Sequence, residues 1–358
     1  MTVRRLLLKV HLIIGFAAAP LLAVLGASGA VLVFEDEIDH WLNRDLLTTR
    51  GTGPVLSPAA LQERVEQGMP GTTVRGLSLS DDDGHAWVVN VVSKTGEGKN
   101  LLVDPHDGRI LGEVAGLRTT TRTIHQFHTR LLAGTWGRAV VGWGGVTLVI
   151  LAVSGLVLWW PGKILTVRGS GTMKRLVFEV HSAVGGVAWL ALLGLGITAI
   201  GIHWNQPVMS ALAGVLGERL PGPFPEHAPG CDGAPDLPLS RLITAAESRV
   251  PGARTTGAFL GDGDEPARVI MRFPEDRTPA GRTNVFLAPC SGRILEARST
   301  RNAPVSYRAL AMWNREIHTG DLLGWPTRIL AALVSLSLPV LALSGPLIWW
   351  TRRRRTAG

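Results

Sequence analysis

Apolar residues in this chain gather into four long blocks: Val10 to Phe34, Ala139 to Trp160, Leu176 to Trp204 and Ile329 to Trp350. Each has about the 20 residues that a helix needs to cross a hydrocarbon core about 30 Å thick, which predicts four transmembrane helices. Between the blocks the pattern changes. Residues 35–137 and 205–324 are more polar and broken by Pro, Gly and short alternating runs. The first block has Arg4-Arg5 before it and Gly26-Ala27-Ser28-Gly29-Ala30 inside it, features shared with secretory leaders. Its apolar run exceeds the about 7 to 15 residues of a leader's h-region, so it reads as a retained span.

Lys and Arg beside the spans set the expected orientation. Arg4, Arg5 and Lys9 precede the first span, Lys163, Arg168, Lys174 and Arg175 fill the connection between the second and third, and Arg352 to Arg355 follow the fourth. Both termini are therefore expected in the cytoplasm, in a multi-pass membrane protein. Glu35, Asp36, Glu37 and Asp39 at the far end of the first span agree. The expected division is a cytoplasmic N-terminus with the first span (1–34), a first outer domain (35–137), the second span (138–160), a cytoplasmic loop (161–175), the third span (176–204), a second outer domain (205–324), and the fourth span with a basic tail (325–358). The net charge of +8 over 358 residues then reports topology and contact with anionic lipid. No basic, aromatic-interleaved surface argues for nucleic acid.

The chain is also written twice. Val10-His11 with Gly15 and Gly26 recurs at one constant offset as Val180-His181 with Gly185 and Gly196. His128-Thr129, Gly134, Arg138, Ser154-Gly155 and Trp159-Trp160 recur as His318-Thr319, Gly324, Arg328, Ser344-Gly345 and Trp349-Trp350. Ionisable side chains in or beside hydrocarbon are costly and usually functional, and parallel repeats can be related by an axis along the membrane normal. The expected architecture is a four-helix transmembrane bundle built as two parallel repeats, each carrying an extracytoplasmic α+β domain. Four histidines in two matched pairs point to two metal sites on the axis.

The outer segments repeat as well. Leu56-Ser57 opens a helical stretch through Met69, Pro70-Gly71 breaks it, Ala86 to Val92 alternates like a strand, and Leu101 to Leu111 reads as a hairpin around Asp104-Pro105-His106-Asp107-Gly108. Leu239-Ser240, a helix through Val250, Pro251-Gly252, a strand from Ala267 to Phe273, and Val285 to Leu295 around Ala288-Pro289-Cys290-Ser291-Gly292 follow the same order. The linker from Pro221 to Leu237 is rich in Pro and Gly and is expected to lack regular structure. Cys231 and Cys290, the only cysteines, both fall in the second outer segment, and the sequence leaves a bridge and two free thiols equally open.

The helix, Pro-Gly, strand and D-P-x-x-G order resembles PepSY domains, and the His, Gly, Arg, Ser-Gly, Trp-Trp pattern resembles the PepSY-associated transmembrane family over nearly the whole chain. That family includes inner-membrane ferric-siderophore reductases and iron-regulated membrane proteins. The resemblance implies b-type haem bound by helix histidines, and electron transfer across the membrane; with the two matched histidine pairs, two haems are expected. The second copy departs from the PepSY pattern at Ala288, where the first has Asp104.

A low-spin b-type haem takes one imidazole from each face. His11 and His181, at matched depth near the cytoplasmic face, are the candidate ligands of one haem. Gly15 and Gly185, one turn on, clear the same helix face for a flat macrocycle. The competing reading is a pair of interfacial histidines with glycines serving close helix packing. His128 and His318 are the candidates for a second haem near the outer face, with Arg138 and Arg328 as possible propionate partners. His125, on the same helical face as His128, and His203, nearly in line with His181 along the third span, are the runners-up. His40, His85, His106 and His227 read as solvated surface residues. Trp159, Trp160, Trp349 and Trp350 read as an interfacial aromatic belt, and Ser154-Gly155 and Ser344-Gly345 as small-residue helix contacts.

The function that the resemblance implies is a ferric-chelate reductase. Electrons enter from a cytoplasmic or quinol donor and reduce a ferric siderophore or other ferric chelate at the outer side. No dinucleotide fingerprint follows a strand, so NADPH or flavin chemistry is expected in a partner. Two rival classes remain at this stage: a membrane-anchored PepSY binding or regulatory module, and a metal permease.

Overall fold

The computed structural model describes residues 2–353 apart from 81–83, 163, 170, 232, 277 and 279. Of the basic residues used for orientation, Lys163, Arg354 and Arg355 lie outside the described residues. In chain order the helices are α1 (Val3–Leu32), α2 (Glu35–Leu42), α3 (Arg44–Leu47), α4 (Pro58–Gly68), α5 (Thr120–Arg130), α6 (Gly134–Trp159), α7 (Met173–His203), α8 (Asn205–Leu216), α9 (Leu239–Arg249), α10 (Val305–Tyr307), α11 (Asn314–Thr319) and α12 (Trp325–Arg353). The strands are β1 (Thr72–Ser78), β2 (Trp87–Ser93), β3 (Gly98–Val103), β4 (Ile110–Glu113), β5 (Arg254–Phe259), β6 (Ala267–Arg272), β7 (Thr283–Leu287) and β8 (Ile294–Arg298). The chain divides into two compact units.

One unit holds the described residues within 1–35, 119–212 and 309–358. Its α1, α6, α7 and α12 are long and apolar enough to cross a membrane. Helix α1 begins at Val3, before the apolar block does, because Arg4, Arg5 and Lys9 end the hydropathy without ending a helix that their side chains favour. The helices meet at backbone distance. A Cβ on Gly26 would lie 2.5 Å from the Ser335 carbonyl oxygen, and one on Gly196 would lie 2.8 Å from Val149 Cγ2. Small residues permit this approach where lipid offers no hydrophobic drive to association. Leu22, Leu148, Leu192 and Leu338 interlock with Ala188 and Val334 in the middle of the bundle. Short helices α5 and α11, which the polarity of their sequences assigned to the outer segments, fold with the spans.

The second unit holds residues 36–118 and 213–308. The sequence predicts one α+β unit in each outer segment. The two segments share one antiparallel sheet in the order β4-β3-β2-β1-β5-β6-β7-β8, because β1 and β5 pair edge to edge through Gly76↔Phe259, Leu77↔Ala258 and Ser78↔Gly257. Gly76 is needed there: a Cβ would sit 2.6 Å from Phe259 Cδ1. Helix α4 opens with Ser57, whose Oγ accepts from the Ala60 N–H at 3.2 Å, followed by Pro58 at the first helical position. It buries Leu61 and Val65, while α9 buries Leu239, Leu242, Ile243 and Ala246. Strand alternation turns Trp87, Val89 and Val91 of β2 and Ala267, Val269 and Met271 of β6 inward. All belong to a single apolar core.

Candidate histidine sites in the helical unit

His11 lies on α1 and His181 on α7. Their ring centroids are 6.5 Å apart and the planes are nearly perpendicular, at 89°. Both line a cavity of about 340 Å³ among the four long helices, bordered also by Gly15, Gly185, Gly155, Gly345, Trp159 and Trp349. This volume falls within the about 300 to 1,000 Å³ usual for small-molecule and cofactor sites. A Cβ added to Gly15 would meet only Leu151 Cδ2, and one on Gly185 only Leu341 Cδ2, both at 3.6 Å. These two glycines leave open space beside the histidines. Leu22, Leu148, Leu192 and Leu338 also line the cavity.

Each imidazole is held from a neighbouring helix. His11 Nδ1 is 2.8 Å from Ser154 Oγ on α6, and His181 Nδ1 is 2.8 Å from Ser344 Oγ on α12. Each serine points its own proton back along its helix, Ser154 to the Ile150 carbonyl and Ser344 to the Val340 carbonyl, both at 2.6 Å. With its proton spent, the hydroxyl oxygen accepts from Nδ1–H. A neutral imidazole protonated at Nδ1 keeps its lone pair on Nε2, the form that ligates a metal. The reading of Ser154-Gly155 and Ser344-Gly345 as packing residues alone is therefore corrected. The glycine of each doublet also lets the ring approach, since a Cβ would lie 3.3 Å from His11 Cε1 at Gly155 and 3.6 Å from His181 Cε1 at Gly345.

His128 on α5 and His318 on α11 repeat the arrangement. His128 Nδ1 is 2.9 Å from Ser28 Oγ on α1, and His318 Nδ1 is 2.8 Å from Thr198 Oγ1 on α7. Ser28 donates to the Val24 carbonyl and Thr198 to the Gly194 carbonyl, each at 2.8 Å. Burial pulls the pKa of both imidazoles down to about 4, and the nearby His318 charge adds to the effect on His128, so both are neutral at pH 7. Sequence reasoning missed Ser28 and Thr198. The signal was there, because each stands at the same distance beyond its repeat's first histidine, His11 or His181, and is followed by a small residue, Gly29 or Ala199.

The runners-up go elsewhere. His125 Nδ1 pairs with Glu35 Oε2 at 3.0 Å, and the His203 ring packs against Trp204 with centroids 4.4 Å apart. Arg328 donates to the Val33 carbonyl at the end of α1 and lies 3.6 Å from Asp321, while Arg138 is exposed. His227 is exposed beside Asp264, but His40 and His85 are half-buried with ring centroids 4.4 Å apart and planes tilted by 57°, which corrects their reading as solvated. The four belt tryptophans divide: Trp160 and Trp350 are exposed, while Trp159 and Trp349 line the cavity.

The family model for the PepSY-associated TM region matches residues 8–352. This chain belongs to the PepSY-associated transmembrane family. The PepSY-associated match takes in all four paired histidines and all four hydroxyls that hold them. The uncharacterized protein PA4219 of Pseudomonas aeruginosa is 30% identical over 136 residues, which is 35% of this chain and 34% of that protein. The chain thus aligns with about a third of the length of the curated relative it matches.

Proposed function

We propose that this chain is a dihaem b-type electron-transfer protein that reduces ferric chelates, such as ferric siderophores, and that its two halves are parallel copies of one haem-holding unit. The observation that carries the reading is the 6.5 Å separation of the His11 and His181 rings across a cavity. Two metal–imidazole bonds of about 2 Å each, with the half-rings behind the nitrogens, add to roughly 6 Å between centroids. Among the described residues no group of three or more His, Cys, Asp or Glu side chains could hold an ion. A pair of imidazoles suits a group that brings its own equatorial donors. When bound, haem b supplies a one-electron ferric/ferrous couple tuned by its axial ligands and surroundings.

The chain's own residues do the rest. Ser154 and Ser344 fix the rings of His11 and His181, and Gly15 and Gly185 keep the cavity wall flat. Ser28 on α1 holds His128 and stands 17 residues beyond His11, so the two histidine levels lie about 25 Å apart along that helix at 1.5 Å per residue. The leucines packed in mid-bundle form an apolar layer between the four long helices. In this reading both termini are cytoplasmic in a bacterial inner membrane, a quinol or cytoplasmic donor supplies electrons at the His11 and His181 level, and the chelate is reduced beyond the His128 and His318 level. Reduction weakens the grip of hard oxygen donors on iron and releases it.

The test is an absorption spectrum with pyridine haemochrome quantification on the purified chain and on His11→Ala, His128→Ala, His181→Ala and His318→Ala. The expected result is two haems in the wild type, one in each variant, and reoxidation of the dithionite-reduced protein by a ferric siderophore. A colourless wild type, or full haem in all four variants, overturns the assignment.

A further inference from the structure

We propose that Ser28, Ser154, Thr198 and Ser344 are positioning residues that set the ligand strength and ring orientation of the four histidines, and so the reduction potentials of the two sites. The inference rests on the haem reading above and goes beyond it to residues that never touch the metal. The same construction appears four times. A hydroxyl on a long helix donates to a carbonyl one turn back and presents its oxygen to the Nδ1 of a histidine on another helix, at 2.8 to 2.9 Å. Each hydroxyl is itself buried, Ser28, Ser154, Thr198 and Ser344 all having relative exposures of 8% or less.

Two consequences follow from chemistry. An imidazole whose Nδ1–H is accepted by an oxygen is a more basic donor at Nε2, which favours ferric over ferrous iron and lowers the potential. A ring pinned through Nδ1 also cannot turn about its bond to the metal. For His11 and His181 the pinned planes are nearly perpendicular, at 89°. Were these two rings to hold one haem iron, planes so set would leave its two π-bonding d orbitals almost equal in energy and would give a highly anisotropic low-spin ferric resonance. The position of Ser28 in one copy is Thr198 in the other, so the device needs the hydroxyl and tolerates the extra methyl.

The experiment is a two-step redox titration with electron paramagnetic resonance on the full chain. Ser154→Ala and Ser344→Ala should keep both haems but raise the potential of one, by about tenfold in the ferrous-to-ferric ratio at fixed potential, which is 59 mV for one electron. The matching resonance should lose its anisotropy while the other haem's is unchanged. Ser154→Thr should restore both properties. At the other level Thr198→Val, which keeps the side-chain shape, should shift the second potential, and Thr198→Ser should not. Wild-type potentials and resonances in Ser154→Ala or Thr198→Val at full haem content overturn the proposal. If Ser154→Ala loses both haems by misfolding, Thr198→Val against Thr198→Ser decides. A wild type without haem defeats the underlying reading at the first measurement, before any hydroxyl is altered.

Discussion

Asp104 is fully buried, yet its carboxylate is well supplied with donors. Oδ2 accepts from the Arg50 and Gly51 N–H groups at 2.8 and 3.0 Å, and Oδ1 accepts from the His106 N–H at 3.0 Å. Burial pushes the carboxyl up, but these backbone donors together outweigh it, and its pKa lies below the ordinary 3.8. A depressed folded-state value means that the contribution is complete above the ordinary value and is lost as pH falls through the folded one. Asp104→Ala should therefore lower the melting temperature at pH 7, at a cost of about 1 to 3 kcal/mol for the stranded N–H groups. The acid-side loss of stability should shrink in the same variant. Equal melting curves for both proteins from pH 7 to pH 3 would refute this. Gly15 and Gly185 make a second prediction at this scale. Because a Cβ at either position clears its neighbours, Gly15→Ala should be tolerated, whereas Gly15→Leu projects into the cavity and, under the proposed dihaem reading, should remove the haem assigned to it. Haemochrome assay of both variants checks it.

At the scale of elements, the two hairpins solve one problem in two ways. In both, a main-chain N–H upstream bonds the proline carbonyl of the turn, Leu56 to Pro105 and Leu237 to Pro289, each at 2.8 Å. The first turn adds Asp104, which pins Arg50 and Gly51. The second has Ala288 there, and Cys290, next to Pro289, forms a disulfide with Cys231 that ties down the Pro- and Gly-rich linker. Covalent closure stands where the carboxylate stood. Cys231 and Cys290 are 59 residues apart, so chain entropy sets the contribution at up to about 4 kcal/mol. Cys231→Ser should lower the melting temperature by more than Asp104→Ala does, and mild reductant should reproduce the effect in the wild type only. A variant that melts with the wild type would contradict it.

At the scale of the whole chain, the helical unit carries two histidine levels about 25 Å apart along α1. Sites farther apart than about 10 Å with no shared partners act independently. Under the proposed dihaem reading, the double variant His11→Ala with His128→Ala should therefore lose both haems, while each single variant retains the spectrum and potential of the haem it keeps. Changed properties of the retained haem in a single variant would show coupling that this separation does not provide.

Much of this was legible along the chain. Spans, basic flanks and matched histidines are properties of composition and spacing, and hydropathy acts on each segment wherever its partners lie. The open choice at Cys231 and Cys290, the joining of β1 to β5 and the hydroxyl grip on each imidazole were not. Periodicity tells which face of an element is apolar, as in β2 and α4, but the edges of β1 and β5 carry no mark naming each other. Ser154 reads as a packing residue until α1 is placed beside α6 and His11 meets it. The sequence by itself determined the four membrane helices, their histidines and the local turns, because these depend on the solvent each segment must satisfy. Only the tertiary structure decided which side chains from distant segments meet, because a hydrogen bond, a disulfide or a strand pairing depends on positions in space that no local pattern contains.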